Sequence, residues 1–259
     1  MYISIVTVVL NDLDGLKKTW YSLKNQGETS FEWIIKDGGC SEELAHFYKT
    51  EVEQFNISTK LIQQKDTSLY DAMNQSMNHV SNLYTLFLNA GDILAAPTVI
   101  EKINQNIKIS KLPYIFIYGD NIDIDSQNNR IYKKARPLKY LSQSLPTSHQ
   151  AILYYTPVLK KYRYSPNYKI AADYALTAQI YFDGNIYHLK LDFPVSCFEL
   201  GGVSSQRRNI LLKEGYRIHR NIAKNNRFIS AYLLARRYFT FNILDNYPTL
   251  YILLHKLFR

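Results

Sequence analysis

The first 118 residues of this 259-residue chain alternate short apolar runs with segments of helical periodicity, and this alternation narrows the choice of fold most. The apolar runs predict strands at Ile3–Leu10, Phe31–Lys36, Thr59–Ile62, Leu83–Leu88 and Tyr114–Tyr118. The segments between them predict helices at Asp14–Asn25, Glu42–Glu53, Leu69–Val80 and Thr98–Ile107. Short connections in such a series imply parallel strands joined by right-handed crossovers. The sequence therefore predicts an α/β fold with a mostly parallel sheet flanked by helices.

The pattern changes after Gly119. A hairpin is predicted at 121–133, a helix at Tyr168–Phe182, and short strands at Ile186–Leu191 and Val195–Glu199. From residue 204 onward the chain is helical in character, with a break near Asn246–Pro248. We therefore predict a main domain over 1–205, divided into a nucleotide-binding half (1–118) and a mixed second half (119–205), followed by a helical extension (206–259).

The net charge of +9 lies entirely in the extension. Residues 206–259 contain eleven Lys and Arg against two acidic residues, Glu214 and Asp245. These charges are interspersed with aliphatic and aromatic residues in two segments, Phe228–Leu244 and Tyr247–Phe258, as in basic amphipathic helices that lie on anionic membranes. Helices that pack on the main domain or between two subunits are the alternative. The bulk pI near 9.3 suggests a nucleic-acid partner, but charge confined to an apolar tail argues against one.

Composition and the N-terminus point to a cytoplasmic protein. Hydrophobic residues make up 46% of the chain, which excludes a disordered protein. Two distant cysteines, Cys40 and Cys197, favour a reducing compartment. The apolar N-terminus has no basic leader or cleavage site, so we interpret it as a first strand. No run reaches the roughly 18 apolar residues that span a bilayer, which predicts a soluble or peripheral protein.

Three acids follow successive predicted strands. Asp37, Asp66 and Asp92 stand at or after the strand ends, and in a parallel sheet these ends share one edge, where ligands bind. Each also has an ordinary explanation, as a turn residue or a helix cap, and Asp71 is a normal first-turn acid. No Walker-type or dinucleotide-type glycine loop is present, which disfavours ATP hydrolysis and hydride transfer.

Four segments together resemble family 2 glycosyltransferases with the GT-A fold, of the type found in bacterial polysaccharide biosynthesis. They are Ser4–Asn11 (SIVTVVLN), Trp33–Ser41 (WIIKDGGCS), Asp66–Asn74 (DTSLYDAMN) and Leu88–Asp92 (LNAGD). The segments occur in the order and with the spacing of that family, and the resemblance extends over roughly residues 3–205. Together they are specific, whereas any one alone would be weak.

The resemblance implies a nucleotide-diphospho-sugar donor, with a UDP-sugar expected. It implies that Thr7, Val8 and Asn11 line the base and ribose pocket and that Asp37 and Asp66 contact the base. Asp92 would ligate Mg²⁺ or Mn²⁺ in the position of the family's DXD element. Here Asn89 or Gly91 stands where many members have the first acid, so one carboxylate would serve with the donor phosphates and water. The expected donor-binding residues are Thr7, Val8, Asn11, Asp37, Asp66, Asp71, Asn89 and Gly91.

The second half supplies the expected catalytic base. The segment Ile170–Tyr174 (IAADY) resembles the family element whose acid deprotonates the acceptor hydroxyl, which implies this role for Asp173. A plain first-turn acid is the alternative. The segment Pro146–Gln150 (PTSHQ) also matches a recurring one, so His149 and Gln150 are expected to contact the acceptor or the diphosphate, unless the histidine is simply buried.

Arg207 and Arg208 follow Glu199–Ser204, a segment that resembles a closing glycine loop, and could neutralise the leaving diphosphate. Solvated helix charges are the alternative for at least one of them.

The sequence thus predicts an inverting glycosyltransferase that extends a glycan acceptor, expected to be lipid-linked, in the synthesis of a bacterial surface polysaccharide such as a capsule or lipopolysaccharide. The enzyme would lie peripherally at the inner face of the cell membrane, as a possible homodimer. Two alternatives remain: a non-catalytic GT-A-like protein that binds glycan or lipid carrier, and a nucleotidyltransferase. The second would normally carry a glycine- and lysine-rich loop after strand one, which Asn11–Gly15 is not.

Overall fold

Seven consecutive buried residues form the first strand, β1 (Ile3–Val9), at the centre of the parallel half of the sheet. The computed structural model describes residues 2–109, 113–125, 127–184, 187–201 and 207–246. Within these residues, nine strands form a single sheet. The remaining strands of the first half are β2 (Phe31–Asp37), β3 (Ser58–Gln63) and β4 (Tyr84–Phe87). They pair in the order β3-β2-β1-β4, all parallel, as predicted.

The connections between these strands are the helices that the periodicity predicts. They are α1 (Leu13–Lys24), α2 (Glu42–Phe47) with a π-helical turn (Tyr48–Val52), α3 (Leu69–Ser76) and α4 (Val99–Ile109). α3 ends four residues before its predicted end. Met77 and Val80 stay buried in the turn that follows, so the apolar spacing continues after the helical hydrogen bonds stop.

The second half makes the sheet mixed. Its strands are β5 (Ile93–Leu94), β6 (Phe116–Ile124), β7 (Arg130–Lys133), β8 (Ile152–Tyr155) and β9 (His188–Glu199). β8 is antiparallel to both β4 and β6, β9 is parallel to β6, and β5 and β7 lie antiparallel to β9 and β6. Two helices, α5 (Thr156–Tyr162) and α6 (Ala172–Phe182), cover this half, and two short 3₁₀ turns lie at Leu138–Tyr140 and His149–Ala151.

Several details of this half differ from the sequence prediction. The strand predicted at Tyr114–Tyr118 and the first arm of the hairpin are one strand, β6, and α5 was not predicted. β5 and β8 were not predicted: both are short, and each is defined by antiparallel pairing with strands that are distant in the sequence. The two predicted strands at 186–199 are one strand, β9, which has a register shift opposite Gly119 of β6. The helix predicted from Tyr168 begins at Ala172.

The core lies on both faces of the sheet. On one face, β1 residues Ile3, Ile5 and Val9 pack with the apolar sides of α1, α2 and α4. On the other, Val6 and Val8 pack with α3, α5 and α6. This alternation follows the period-two geometry of a strand with both faces buried.

The C-terminal extension packs on the second of these faces. It contains α7 (Arg208–Asn221) and α8 (Arg227–Asn246), and Leu211 and Ile218 of α7 belong to the core cluster there. Its predicted helical character is confirmed for both helices. Outside the described residues lie 247–248 of the predicted break, the amphipathic segment Tyr247–Phe258 and residues 202–204 of the predicted closing loop. No helix in the described part of the chain is both long and apolar enough to cross a bilayer.

Candidate active site

The turn Asn89–Asp92 follows β4 and is held in place by α1. Thr19 Oγ1 donates to the carbonyl of Asp92 (2.8 Å) and accepts from the backbone N–H of Gly91 (3.1 Å). The Gly91 N–H also lies 2.9 Å from the carbonyl oxygen of Gly15. Gly91 has a φ of +93°, in the region that glycine occupies without strain. The turn therefore has a defined shape that fixes the direction of the Asp92 carboxylate.

Asp92 is 8% exposed, and its Oδ2 accepts from the Asn89 backbone N–H and from Gln150 Nε2, both at 3.1 Å. Burial raises the pKa of Asp92 to about 7, although these two hydrogen bonds oppose the rise. A cation nearby would offset this desolvation. Beside it, Asn89 Oδ1 is buried and has no hydrogen-bond partner among the described residues.

An amide oxygen without a partner and a buried carboxylate are oxygen ligands of the kind that Mg²⁺ and Mn²⁺ take. Asn89 and Asp92 thus fit the predicted ion as two protein ligands. In the part of the chain that the structure describes, no group of three or more His, Cys, Asp or Glu could hold a metal. Within residues 89–92, Asp92 is the single acid, in keeping with the reduced DXD element that the sequence predicts.

The segment 147–150 joins this corner to Asp173. Next to Gln150, which contacts Asp92, the His149 Nε2 lies 3.3 Å from Asn89 Nδ2, and the His149 Nδ1 lies 3.6 Å from Asp173 Oδ2. Because the asparagine amide donates, Nε2 accepts, and the ring proton is on Nδ1, which faces Asp173. Burial lowers the pKa of His149, and the Asp173 carboxylate partly opposes this. One segment thus connects the predicted metal residue to the predicted base.

Asp173 lies in the first turn of α6 with its side chain 18% exposed. Its Oδ1 accepts from the Tyr174 backbone N–H (2.8 Å) and lies 3.5 Å from the Tyr70 hydroxyl, which donates to the carbonyl of Ile170 (2.7 Å). Burial raises the pKa of Tyr70 well above its ordinary range, and the Asp173 charge adds to this, so Tyr70 remains a hydrogen-bond donor.

Two residues around Asp173 were not predicted as site residues. Tyr70 lies within the family-like segment 66–74, where its place before Asp71 was the available signal. Glu214 of α7 accepts hydrogen bonds from the backbone that precedes α6. No local sequence motif identifies Glu214 as a site residue. The sequence shows it only as one of two acidic residues in a basic tail.

At the ends of β1 and β2, two predicted donor-binding side chains are already engaged inside the protein. The Thr7 hydroxyl donates to the carbonyl of Leu88 (2.7 Å) and accepts from Trp33 Nε1 (2.8 Å). The Asp37 carboxylate is fully buried and organises the turn after β2 by accepting from the Gly39 and Ser41 N–H groups (2.9 and 2.7 Å) and from the Gln63 side chain. Neither side chain presents a free polar atom here. Their contact with a donor stays a prediction, as does that of Val8, which is 5% exposed.

Asp66 and Asn11 lie over the two glycines of the same turn. Asp66 Oδ2 accepts from the buried Lys36 ammonium at 3.1 Å. A methyl group on Gly38 would overlap Asp66 Oδ2 and lie 3.0 Å from its Cγ, while one on Gly39 would overlap the Asn11 amide oxygen. Glycine at both positions therefore allows these polar side chains to approach the backbone closely.

The other predicted residues have mainly local contacts. The Asp71 Oδ2 accepts from the backbone N–H and hydroxyl of Thr67 (2.8 and 2.9 Å), and although burial opposes the effect, these hydrogen bonds hold its pKa below the usual range. The Arg208 guanidinium lies 5.0 Å from the ring centroid of Phe241 in α8. Arg207 is exposed at the N-cap of α7. Their predicted contact with the diphosphate is not tested by these positions.

Comparison with known proteins identifies the family. The family model described as "Glycosyl transferase family 2" matches residues 4–170. An uncharacterized glycosyltransferase of Mycobacterium tuberculosis is 27% identical over 253 residues, which cover 93% of each chain. A PGL/p-HBAD biosynthesis glycosyltransferase of Mycobacterium bovis is 27% identical over 206 residues, which cover 78% of each chain.

Solved structures identify the fold. The structure of S. aureus TarS 1–349 in complex with UDP-GlcNAc superposes with a TM-score of 0.63 at 15% identity, covering 96% of this chain and 74% of that one. A Pyrobaculum calidifontis mannosyltransferase in complex with GDP-Man and Mn²⁺ superposes with a TM-score of 0.66 at 9% identity, covering 92% and 69%. The chain spans 44% of the longer TarS chain. The protein therefore belongs to glycosyl transferase family 2 and is a glycosyltransferase with the GT-A fold.

Proposed function

We propose that the enzyme transfers a sugar from a nucleotide-diphospho-sugar, with UDP-sugars the first candidates, to a hydroxyl group of a glycan acceptor. The observation that carries this proposal is the bridge made by residues 149 and 150. His149 reaches Asp173 and Asn89, and Gln150 reaches Asp92, so a base and a cation-binding corner share one site. The complexes of the two structural neighbours with UDP-GlcNAc and with GDP-Man support a nucleotide-diphospho-sugar as the donor.

The reaction is a single displacement at the anomeric carbon. Asp173 accepts the proton of the acceptor hydroxyl as the new bond between this oxygen and the anomeric carbon forms. The bond from that carbon to the diphosphate oxygen breaks, and the nucleoside diphosphate leaves with the electron pair. Attack from the side opposite the leaving group gives inversion of configuration. Tyr70 and His149 keep the Asp173 carboxylate directed at the acceptor.

Asn89 and Asp92 would hold Mg²⁺ or Mn²⁺, whose charge would offset that of the departing diphosphate. Gln150 and the Asn89 backbone N–H both donate to Asp92 Oδ2, and these hydrogen bonds fix the orientation of the carboxylate. We propose that the nucleoside lies at the ends of β1–β3, near Asn11, Asp66 and the glycine turn.

We further propose that the acceptor is lipid-linked, as in the synthesis of surface polysaccharides, and that the enzyme works at the inner face of the cell membrane. The support is an apolar surface on α8. Phe228, Tyr232 and Phe239, which we term the aromatic stripe, are 87%, 64% and 64% exposed and are spaced along one side of the helix. Arg227 precedes Phe228 and Arg236 lies between Tyr232 and Phe239 in the sequence; both are exposed and suit anionic headgroups.

Asp173→Asn tests the catalytic proposal. The donor is first identified by thermal stabilisation across a panel of UDP-, GDP- and TDP-sugars, each with and without Mn²⁺. The variant should bind that donor as the wild type does, while nucleoside diphosphate release falls by about 10²–10⁴-fold because the base is lost. Asp183→Asn, an exposed acid at the C-cap of the same helix, should have wild-type activity.

The outcomes separate the alternatives. Release by Asp173→Asn at the wild-type rate would contradict the assignment of the base. Donor binding by the wild type without release, in the presence of the glycan acceptors tried, would favour a non-catalytic binding protein. Pyrophosphate release from a nucleoside triphosphate and a sugar phosphate would instead identify a nucleotidyltransferase. Retention of anomeric configuration in the product would contradict the single displacement.

A further inference from the structure

Glu214 binds the backbone segment that leads into the helix bearing Asp173, although it belongs to the C-terminal extension. Its Oε1 accepts from the backbone N–H of Lys169 (2.6 Å), and its Oε2 accepts from those of Ile170 (3.0 Å) and Ala171 (2.8 Å). α6 begins at Ala172, and its N-cap residue, Ala171, has no side chain that could cap it. An N-cap side chain would accept from an N–H of the first helical turn. The carboxylate of α7 instead binds the three N–H groups that immediately precede α6, and so holds the segment that leads into the helix.

The Glu214 carboxylate forms its hydrogen bonds with backbone N–H groups. Glu214 is 4% exposed and forms no ion pair with any residue that the structure describes. A buried charge with no cationic partner is costly unless hydrogen bonds satisfy it. The N–H groups at a helix N-terminus, where the helix dipole is positive, are suitable partners. The geometry therefore favours one fixed arrangement of the segment 169–171.

Glu214 and Tyr70 hold the same residue from two sides. Glu214 binds the N–H of Ile170, and Tyr70 binds its carbonyl while its hydroxyl lies 3.5 Å from Asp173 Oδ1. The backbone entering α6 is thus held between α7 and α3. Since Asp173 is the second residue of α6, a shift or rotation of this backbone would move its carboxylate.

We propose that Glu214 is a positioning residue for the transfer reaction, which fixes the start of α6 so that the Asp173 carboxylate faces the acceptor. This inference rests on the proposed function of Asp173. It makes the extension a part of the active site and not only an attachment to it, although Glu214 lies outside the region 4–170 that the family model matches.

The test compares Glu214→Gln with Leu212→Ala in the full-length protein. The glutamine amide places a donor against backbone donors, so at least one N–H loses its partner while the side chain keeps its size. Leu212→Ala removes apolar packing from the same helix, where Leu212 is 9% exposed, and leaves the carboxylate intact. The readout is UDP release from UDP-GlcNAc and UDP-glucose with Mn²⁺ and water as acceptor, together with the donor Kd, at a temperature where all variants are folded.

We expect Glu214→Gln to lower the release rate at least ten-fold with a donor Kd within two-fold of the wild type. Leu212→Ala should keep the release rate within two-fold of the wild type, even if its thermal stability falls as far as that of Glu214→Gln. Glu214→Asp keeps the charge on a shorter side chain and should show a smaller loss of rate, again with unchanged donor Kd. It also serves as the test if the glutamine variant does not fold.

Asp173→Asn in the same assay distinguishes a failure of the catalytic role of Asp173 from a failure of the positioning role of Glu214. If it leaves UDP release unchanged, the proposed catalytic role fails, and the role of Glu214 with it. If it lowers release but Glu214→Gln and Glu214→Asp stay within two-fold of the wild type, the positioning role alone is overturned. An equal loss of rate in Leu212→Ala would also overturn it, because general loosening of α7 would then suffice.

Discussion

At the residue scale, the turn after β2, where we propose that the nucleoside binds, depends on two glycines. Polar side chains lie closer to the backbone there than any residue with a side chain would allow. Gly38 and Gly39 follow β2 directly, and Asp66 and Asn11 occupy the space where their side chains would be. The Asp66 carboxylate is in turn held by Lys36, whose ammonium group also donates to the carbonyl of Gln64. This edge is thus shaped by an absence of side chains at two positions.

Gly38→Ala should displace Asp66 from Lys36, because the new methyl group would overlap the carboxylate. We expect the free energy of unfolding to fall by about 1–3 kcal/mol, as for overpacked sites. If Asp66 contacts the nucleoside, UDP should bind at least ten-fold more weakly in isothermal titration. Gly184→Ala is the matched control, since nothing lies within 4 Å of its added methyl group. Unchanged UDP affinity in Gly38→Ala would remove Asp66 from the donor site.

At the element scale, Glu32 of β2 fastens the central strands to the loop that precedes β4. Its Oε1 accepts from the backbone N–H groups of Ser81 (2.7 Å) and Asn82 (3.2 Å) and from the Ser4 hydroxyl. Its Oε2 accepts from the Ser81 hydroxyl (2.7 Å). Burial raises the pKa of Glu32, but these hydrogen bonds outweigh it and hold the pKa below the ordinary value of 4.5. The charged form therefore stabilises this junction.

Glu32→Gln should lower the free energy of unfolding at pH 7 by about 1.5–3 kcal/mol, the contribution of hydrogen bonds to a charged group. A lowered native pKa gives stability that is complete above pH 4.5 and is lost as the pH falls through the native pKa. The difference from the wild type should therefore shrink in acid, as measured by urea unfolding from pH 7 to pH 3. Glu53→Gln, at an exposed glutamate, should show little difference at any pH. A deficit in Glu32→Gln that is constant with pH would contradict the role of the charge.

The individual strands and helices show how much of this fold local sequence patterns predict. β1–β4 and their helices were predicted because each coincides with an apolar run or a helical periodicity that is visible in the sequence, which for the four-residue β4 extends from Leu83 to Leu88. β8 has four residues and is defined by pairing with β4 and β6. The start of α6 was predicted too early because the carbonyl of Ile170 accepts from the Tyr70 hydroxyl, while the Tyr174 N–H, its partner in a longer helix, donates to Asp173 Oδ1.

At the scale of the whole molecule, the extension has two sides with different tasks. Leu233 of α8 is 4% exposed and faces the protein. Burial lowers the pKa of Arg237 on the same helix, and the charge of Asp173 partly opposes this effect. The aromatic stripe faces away. The extension therefore both packs against the catalytic part and leaves an apolar surface for a partner.

Replacement of Phe228, Tyr232 and Phe239 by Ser should reduce flotation with phosphatidylglycerol vesicles several-fold, because the stripe supplies the apolar contact. Wild-type flotation should weaken as salt screens the arginines and should be slight with phosphatidylcholine. Serine at Tyr21, Ile109 and Phe182, which are also exposed but lie elsewhere, is the control. Equal flotation of both triple variants would contradict membrane binding by the stripe. A wild-type dimer that the stripe variant converts to monomer would make this face a subunit interface.

The sequence by itself determined the strand and helix series, the acids at the strand ends and the family. The first two depend on local periodicity and on the rule that parallel strands end at one edge, and the family on the resemblance of four short segments. Tertiary structure alone decided which residues contact Asp173 and the backbone that leads into its helix. The Tyr70 hydroxyl lies 3.5 Å from Asp173, and Glu214 binds the N–H groups of residues 169–171, across sequence separations of 103 and 43 to 45 residues. Such contacts are set by how helices pack on the sheet, and no spacing within a segment encodes them. For the same reason, a buried glutamate in a basic tail could be recognised as part of the site only once α7 was seen against α6.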